Sequence, residues 1–162
     1  MAAKKTRNPV DAMTAAARLL SYRERTVAEL TGRLSEKGYD AAEISSTVER
    51  LAEKGYLDDR RFAMGLADSR IRNKRWGRAR IASDLGSRGV PREIISEVIG
   101  TIDRATEDET ARRAFDKWRR LRRAPLPLDK TGFARAFRYL TSLGFSQSVI
   151  FTILKGQGGQ EG

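Results

Sequence analysis

The residues of this chain whose types and spacing could do chemistry are its arginines. The stretch from Leu57 to Val90 reads LDDRRFAMGLADSRIRNKRWGRARIASDLGSRGV and holds Arg60, Arg61, Arg70, Arg72, Lys74, Arg75, Arg78 and Arg80. Between Arg60 and Arg80 only Asp68 opposes them. A second group, Arg119, Arg120, Arg122 and Arg123, follows later. A guanidinium is a permanent cation with a fork of donors, matched to phosphate and carboxylate. Acidic residues at the helical i,i+4 spacing are scarce around the first group. That weakens the plainer reading of a salt-bridged solvent face but leaves it open. The later group ends a helix that begins with acidic residues, so the helix dipole accounts for part of its pattern. The chemistry predicted is the holding of an acidic partner.

Catalysis finds little to work with. The chain has no histidine and no cysteine, which removes the usual general base, zinc ligands, thiolate nucleophiles and disulfides. Three acidic groups remain, namely Asp58-Asp59, Glu107-Asp108-Glu109, and Asp40 with Glu43. All stand at predicted helix starts, where capping and the helix dipole explain them. Neighbouring side chains on a helix point about 100° apart, so Asp58 and Asp59 make a poor metal pair. Gly156, Gly158 and Gly159 follow no strand and precede no helix, unlike a phosphate loop. Trp76 and Trp118 could stack on bases, yet both adjoin apolar stripes and suit a core. The reading is a binding protein without enzyme activity, cofactor or metal.

The elements that position the arginines follow from hydrophobic spacing. Phe62, Ala63, Leu66, Ala67 and Ile71, then Ile81, Ala82 and Leu85, keep to one helical face and leave the cations to the others. Trp76-Gly77 marks the joint between the two helices. Upstream, Val10, Met13, Ala16, Ala17 and Leu20 predict a first helix beginning near Asp11. Thr26 with Glu29 forms the capping box of a second, and Asp40 with Glu43 opens a third. Downstream, Pro91 suits a helix's first turn, and a long helix is expected from about Thr106, with Ala114, Phe115, Trp118 and Leu121 as its stripe. Ala124-Pro125-Leu126-Pro127-Leu128 predicts a stiff connector. Two further helices carry Phe133, Phe137, Leu140 and Leu143, then Val149, Ile150, Ile153 and Leu154.

Glycine followed by an apolar residue recurs at Gly38-Tyr39, Gly55-Tyr56, Gly89-Val90 and Gly144-Phe145. This is the signature of a left-handed helix end whose next side chain folds back on the last turn. Aligning Gly38, Gly89 and Gly144 sets Leu34, Leu85 and Leu140 four residues before. Ile44, Ile95 and Ile150 fall six after, and Val48, Ile99 and Leu154 ten after. The spacings of 51 and 55 residues suit three helices per repeat. The expected fold is all-α, an elongated tandem array of three three-helix repeats. Its expected bounds are a basic tail 1–9, repeats 10–57, 58–103 and 104–156, and a tail 157–162.

The run LDDRRFA…R…NKRWGRARI…DL…RGV resembles the central repeat of the bacterial RecX regulators, and AARLLSYRERTVAELTGRLSEKGY resembles their first. The likeness covers roughly Ala12 to Lys155. It departs where the family most often has proline after the middle-repeat glycine and this chain has Arg78. The resemblance implies a regulator of the RecA recombinase that lies in the helical groove of the RecA filament on single-stranded DNA. There it would hinder filament extension, strand exchange and ATP turnover, meeting recombinase and DNA together.

Charge distribution fits such a partner. Residues 10–57 carry seven basic and eight acidic groups, residues 58–103 ten and seven, and residues 104–162 twelve and six. An excess of cations away from the first repeat points to a polyanionic partner. No apolar run is long enough to span a bilayer, and MAAKKTRNPV lacks the apolar segment of a signal peptide. A cytoplasmic monomer is expected. The alternative is a sequence-independent DNA-binding module of helix-turn-helix type, since each repeat has three short helices. Against it, the helices carrying Ile44, Ile95 and Ile150 are apolar or acidic and lack a base-reading set.

Overall fold

The computed structural model describes residues 8–157, and the terminal stretches 1–7 and 158–162 of the expected tails lie outside the described residues. Nine α-helices account for it, without a strand among the described residues. They are α1 (Ala12–Tyr22), α2 (Val27–Glu36), α3 (Ala41–Glu53), α4 (Asp59–Ser69), α5 (Arg78–Ser87), α6 (Arg92–Gly100), α7 (Arg104–Arg122), α8 (Lys130–Ser142) and α9 (Gln147–Lys155). One π-helical turn, Arg70–Lys74, extends α4. Extensive helix-to-helix packing runs within consecutive triplets, α1–α3, α4–α6 and α7–α9. Each triplet encloses its own apolar cluster.

Helix starts follow the polar residues read from the sequence. Asp11, Thr26, Asp40, Asp58, Asp103, Asp129 and Ser146 each accept a backbone N–H from the first turn of the helix they precede, satisfying a donor the helix itself leaves unpaired. Thr26 and Glu29 form the expected capping box. The long helix α7 opens at Arg104, earlier than expected, because Asp103 and not the acidic trio is its cap. Pro91 stands at the cap position of α6, one residue before its first turn.

The glycine stops are left-handed, with φ of 91°, 78°, 76° and 92° at Gly38, Gly55, Gly89 and Gly144. The N–H of the next residue donates back to the carbonyl of Leu34, Leu51, Leu85 or Leu140, as a Schellman closure requires. Leu34, Leu85 and Leu140 are fully buried, each contributing roughly 1.5–3 kcal/mol of burial. Tyr39, Val90 and Phe145 fold into the core as expected, but Tyr56 is 64% exposed. Leu57 is buried in its place, 4% exposed.

Two other expectations fail. In α1 the buried face is Ala12, Ala15, Ala16 and Leu19, with Met13 and Leu20 at its edge and Ala17 exposed. Alanine suits either face of a helix, so the run Ala15-Ala16-Ala17 leaves the stripe free to shift by a residue. Leu121 is 72% exposed, since the α7 core contacts end with Trp118 and the last turn runs on toward the connector.

The triplets meet through their middle helices. The start of α2 lies on the end of α5. The Thr26 hydroxyl donates to the Arg88 carbonyl at 2.6 Å, and the Val27 N–H donates to the Asp59 carboxylate at 2.9 Å. The start of α5 lies on the end of α8. Gly77 has no capping side chain, and instead the Gly77 and Ala79 N–H groups donate to the carbonyls of Leu143 and Gly144 at 2.8 and 3.1 Å. The backbones approach so closely that a Cβ on Gly77 would stand 2.5 Å from the Gly144 oxygen, and one on Gly89 2.3 Å from Ala28 Cβ. Trp76 packs on the clusters of both the second and third triplets.

Substitution of two glycines separates these roles. Gly77→Ala, at an ordinary φ of −85°, should destabilise by about 1–3 kcal/mol, the usual effect of overpacking. Gly65→Ala, inside α4 with no heavy atom within 4 Å, should stabilise by about 0.5–1 kcal/mol. Equilibrium urea unfolding measures both.

Candidate partner-binding surface

The structure divides the arginines by what they touch. Five of the central eight are ion-paired, mostly to carboxylates far away in sequence. Arg60 holds Glu97 at 2.7 Å, Arg61 holds Glu24 at 3.3 Å and Arg70 holds Asp84 at 2.9 Å. Arg72 pairs with Asp68 one turn back, and Arg78 stands 3.4 Å from the buried Glu107. The scarcity of i,i+4 partners thus understated the pairing, because most partners come from the α1–α2 loop, α5, α6 and α7. Arg61 also donates to the Gly55 carbonyl, and Arg78 to that of Ile102.

Arg78, where the chain departs from the pattern it resembles, therefore ties α5 to the start of the third triplet. Arg80 works at the same joint. Its guanidinium lies over the Trp76 ring, 4.2 Å from the centroid, and donates to the Ser142 carbonyl at 3.2 Å. Arg70 also lies over that ring, at 5.1 Å. Trp76 is thus a joint residue and not an open base-stacking platform.

Lys74 and Arg75 are different. Among the described residues neither has an acidic partner. Both close the π-helical turn, and Arg75 takes a left-handed φ of 56°. The second group repeats this arrangement. Arg123 ends α7 with φ 49°, Arg120, Arg122 and Arg123 are exposed, and none of the four pairs with a described carboxylate. Left-handed backbone costs an L-residue about 1–2 kcal/mol. The two long first helices of the second and third triplets both end on an arginine held there.

Sequence reading passed over Arg135 and Arg138 on α8. With Trp118, Arg122 and Tyr139 they line a cleft of about 350 Å³. The alternation of basic and aromatic residues in Phe133-Ala-Arg-Ala-Phe-Arg-Tyr139 is the signal that could have found it. Among the described residues no group of three or more acidic side chains is placed to hold a metal, and no helix is long and apolar enough to cross a membrane. The last helix, α9, buries Val149, Ile150, Ile153 and Leu154, leaving little of it to read bases.

One half-buried pairing has a pH signature. Asp84 receives Arg70 Nε at 2.9 Å and Arg88 Nε at 3.0 Å. Burial pushes its carboxyl up, but these two charged donors outweigh burial and hold it below the usual carboxylate range. A lowered folded pKa gives stability that is complete above the unfolded value, about 3.9, and is lost as pH falls through the folded one. Asp84→Asn should destabilise by about 1–3 kcal/mol at neutral pH. Its deficit against the parent should shrink as pH drops below about 3.9, read by urea unfolding across pH.

Comparison with known proteins agrees with this architecture. Residues 12–51 match the family model of the RecX first three-helix domain, and residues 58–99 that of the second. Regulatory protein RecX of Pelodictyon phaeoclathratiforme is 37% identical over 133 residues, spanning 78% of this chain and 83% of that protein. Regulatory protein RecX of Mycobacterium leprae is 36% identical over 138 residues, spanning 85% and 80%. The crystal structure of RecX from Lactobacillus salivarius superposes with a TM-score of 0.81 over 90% of this chain and 94% of that one. At 19% identity, it speaks to the fold. With tandem three-helix domains in the same order and relatives of this identity across most of its length, the chain belongs to the RecX family of regulatory proteins.

Proposed function

We propose that this protein binds the RecA filament on single-stranded DNA and restrains it, slowing filament growth, ATP hydrolysis and strand exchange. Family membership supports a regulatory role. The joints support the geometry, because triplets fixed end to end would present one shaped surface to several protomers of a polymer at once. The observation that carries the reading is the pair Arg75 and Arg123. Each stands in a conformation glycine would adopt more cheaply, at matching ends of α4 with its π-helical turn and of α7, without a described acidic partner. Strained residues retained in this way suit function better than stability. Lys74, Arg119, Arg120 and Arg122 add to these cations and Arg72 pairs only within its own helix, whereas Arg60, Arg61, Arg70, Arg78 and Arg80 act on the partner chiefly by tying helices together.

The test is RecA ATP hydrolysis on single-stranded DNA with the protein titrated in. The parent should inhibit. The double variant Arg75→Gly, Arg123→Gly should melt at the same temperature or higher, since glycine relieves left-handed strain. It should nevertheless need about tenfold more protein for the same inhibition, as expected for two lost charge contacts at an interface. Full inhibition by the double variant would contradict the assignment, and so would binding to the filament no tighter than to bare single-stranded DNA.

A further inference from the structure

The cleft on the third triplet carries a more specific assignment. Its floor is aromatic. Trp118 is nearly buried and stacks on Phe115 at 6.0 Å and on Tyr139 at 6.4 Å between centroids. The Arg122 guanidinium lies over the Trp118 ring at 5.7 Å, which holds its plane by cation–π attraction. Arg135 and Arg138, one helical turn apart on α8, complete the wall. All three arginines are exposed. Among the described residues the ion pairs of this triplet are Arg78–Glu107, Arg104–Asp108 and Arg112–Glu109, and none of them takes up a cleft arginine. Asp129, at the start of α8, accepts the Gly132 N–H as a cap.

We propose that this cleft binds the phosphodiester backbone of single-stranded nucleic acid, with Arg122, Arg135 and Arg138 on phosphate oxygens and Tyr139 facing an unstacked base. Three guanidinium forks lining one cleft, with no carboxylate among the described lining residues, form a site for an oxyanion. The aromatic floor favours a nucleotide over an acidic peptide, since an unpaired base has a face to stack and a Glu side chain has none. A duplex keeps its bases stacked inside and could offer only phosphates. The assignment does not rest on filament binding, and its test contains no recombinase, so the two can fail separately.

The test uses the full chain and a fluorescein-labelled oligothymidylate of about 16 nucleotides, with anisotropy read over a range of salt. The triple variant Arg122→Gln, Arg135→Gln, Arg138→Gln should bind about tenfold more weakly at low salt. Its slope of log affinity against log salt should fall by about 2, three lost phosphate contacts at about 0.7 each. The same charge removal on the first triplet, Arg18→Gln, Arg33→Gln, Arg50→Gln, should leave the slope in place. A triple lysine variant at the cleft keeps every charge, and should bind between the parent and the glutamine variant. Circular dichroism confirms that each variant is folded. Equal losses from both glutamine triples, parent-like binding by the lysine variant, equal affinity for a duplex, or oligoglutamate competing as well as unlabelled oligothymidylate would each overturn the proposal.

Discussion

Every helix leaves backbone N–H groups unpaired at its start and carbonyls unpaired at its end, and burying either without a partner is costly. This protein joins its triplets by setting those ends against each other. The carbonyls closing α8 receive the N–H groups opening α5, and the carbonyl closing α5 receives the hydroxyl that caps α2. The contact is close enough that Gly77, Gly89 and Gly144 admit no Cβ. Two of the glycines that end helices, Gly89 and Gly144, therefore also set the distance between triplets. At Gly38 and Gly55 local turn geometry alone is served.

Arginine is used in two ways on this frame. Arg70, Arg78 and Arg80 gather around Trp76 and Glu107, where fixed partners, and for Arg70 and Arg78 half-burial, make them parts of the joint. Removing one would leave a carboxylate or a ring face without its cation, and the penalty for an unpaired buried charge exceeds the net value of the pair. Arg75, Arg120, Arg122 and Arg123 stand outside this network. A net charge of +11 alone would not distinguish the two sets, since only the folded chain shows which carboxylates lie within reach.

Much of the fold was legible because local chemistry and global packing agree here. Capping residues, glycine stops and leucines four residues before them all marked the same boundaries, as Thr26, Gly38 and Leu34 do for α2. Sequence failed where a residue suits either environment. Alanine let the α1 stripe shift, and Tyr56 could face solvent because Leu57 served the core. The site was less legible for a physical reason. Ion pairs such as Arg60–Glu97 and Arg61–Glu24 join residues 37 apart, and no local spacing announces them. Asp58-Asp59 read as the capped, dipole-favoured start of one helix, yet only Asp58 caps α4 while Asp59 accepts the Val27 N–H of another triplet. Arg135 and Arg138 gain meaning only once α8 lies beside Trp118.

The central claim is that the joints hold the triplets as one shaped body. The chain has no cysteine, so two can be introduced cleanly at the exposed Ser35 and Lys130 and spin-labelled. Pulsed dipolar distance measurement between them spans both joints. A single narrow distance distribution, unchanged by salt and broadened by Gly77→Ala, is the predicted result. A broad distribution in the parent chain, or one that Gly77→Ala leaves untouched, would contradict the account.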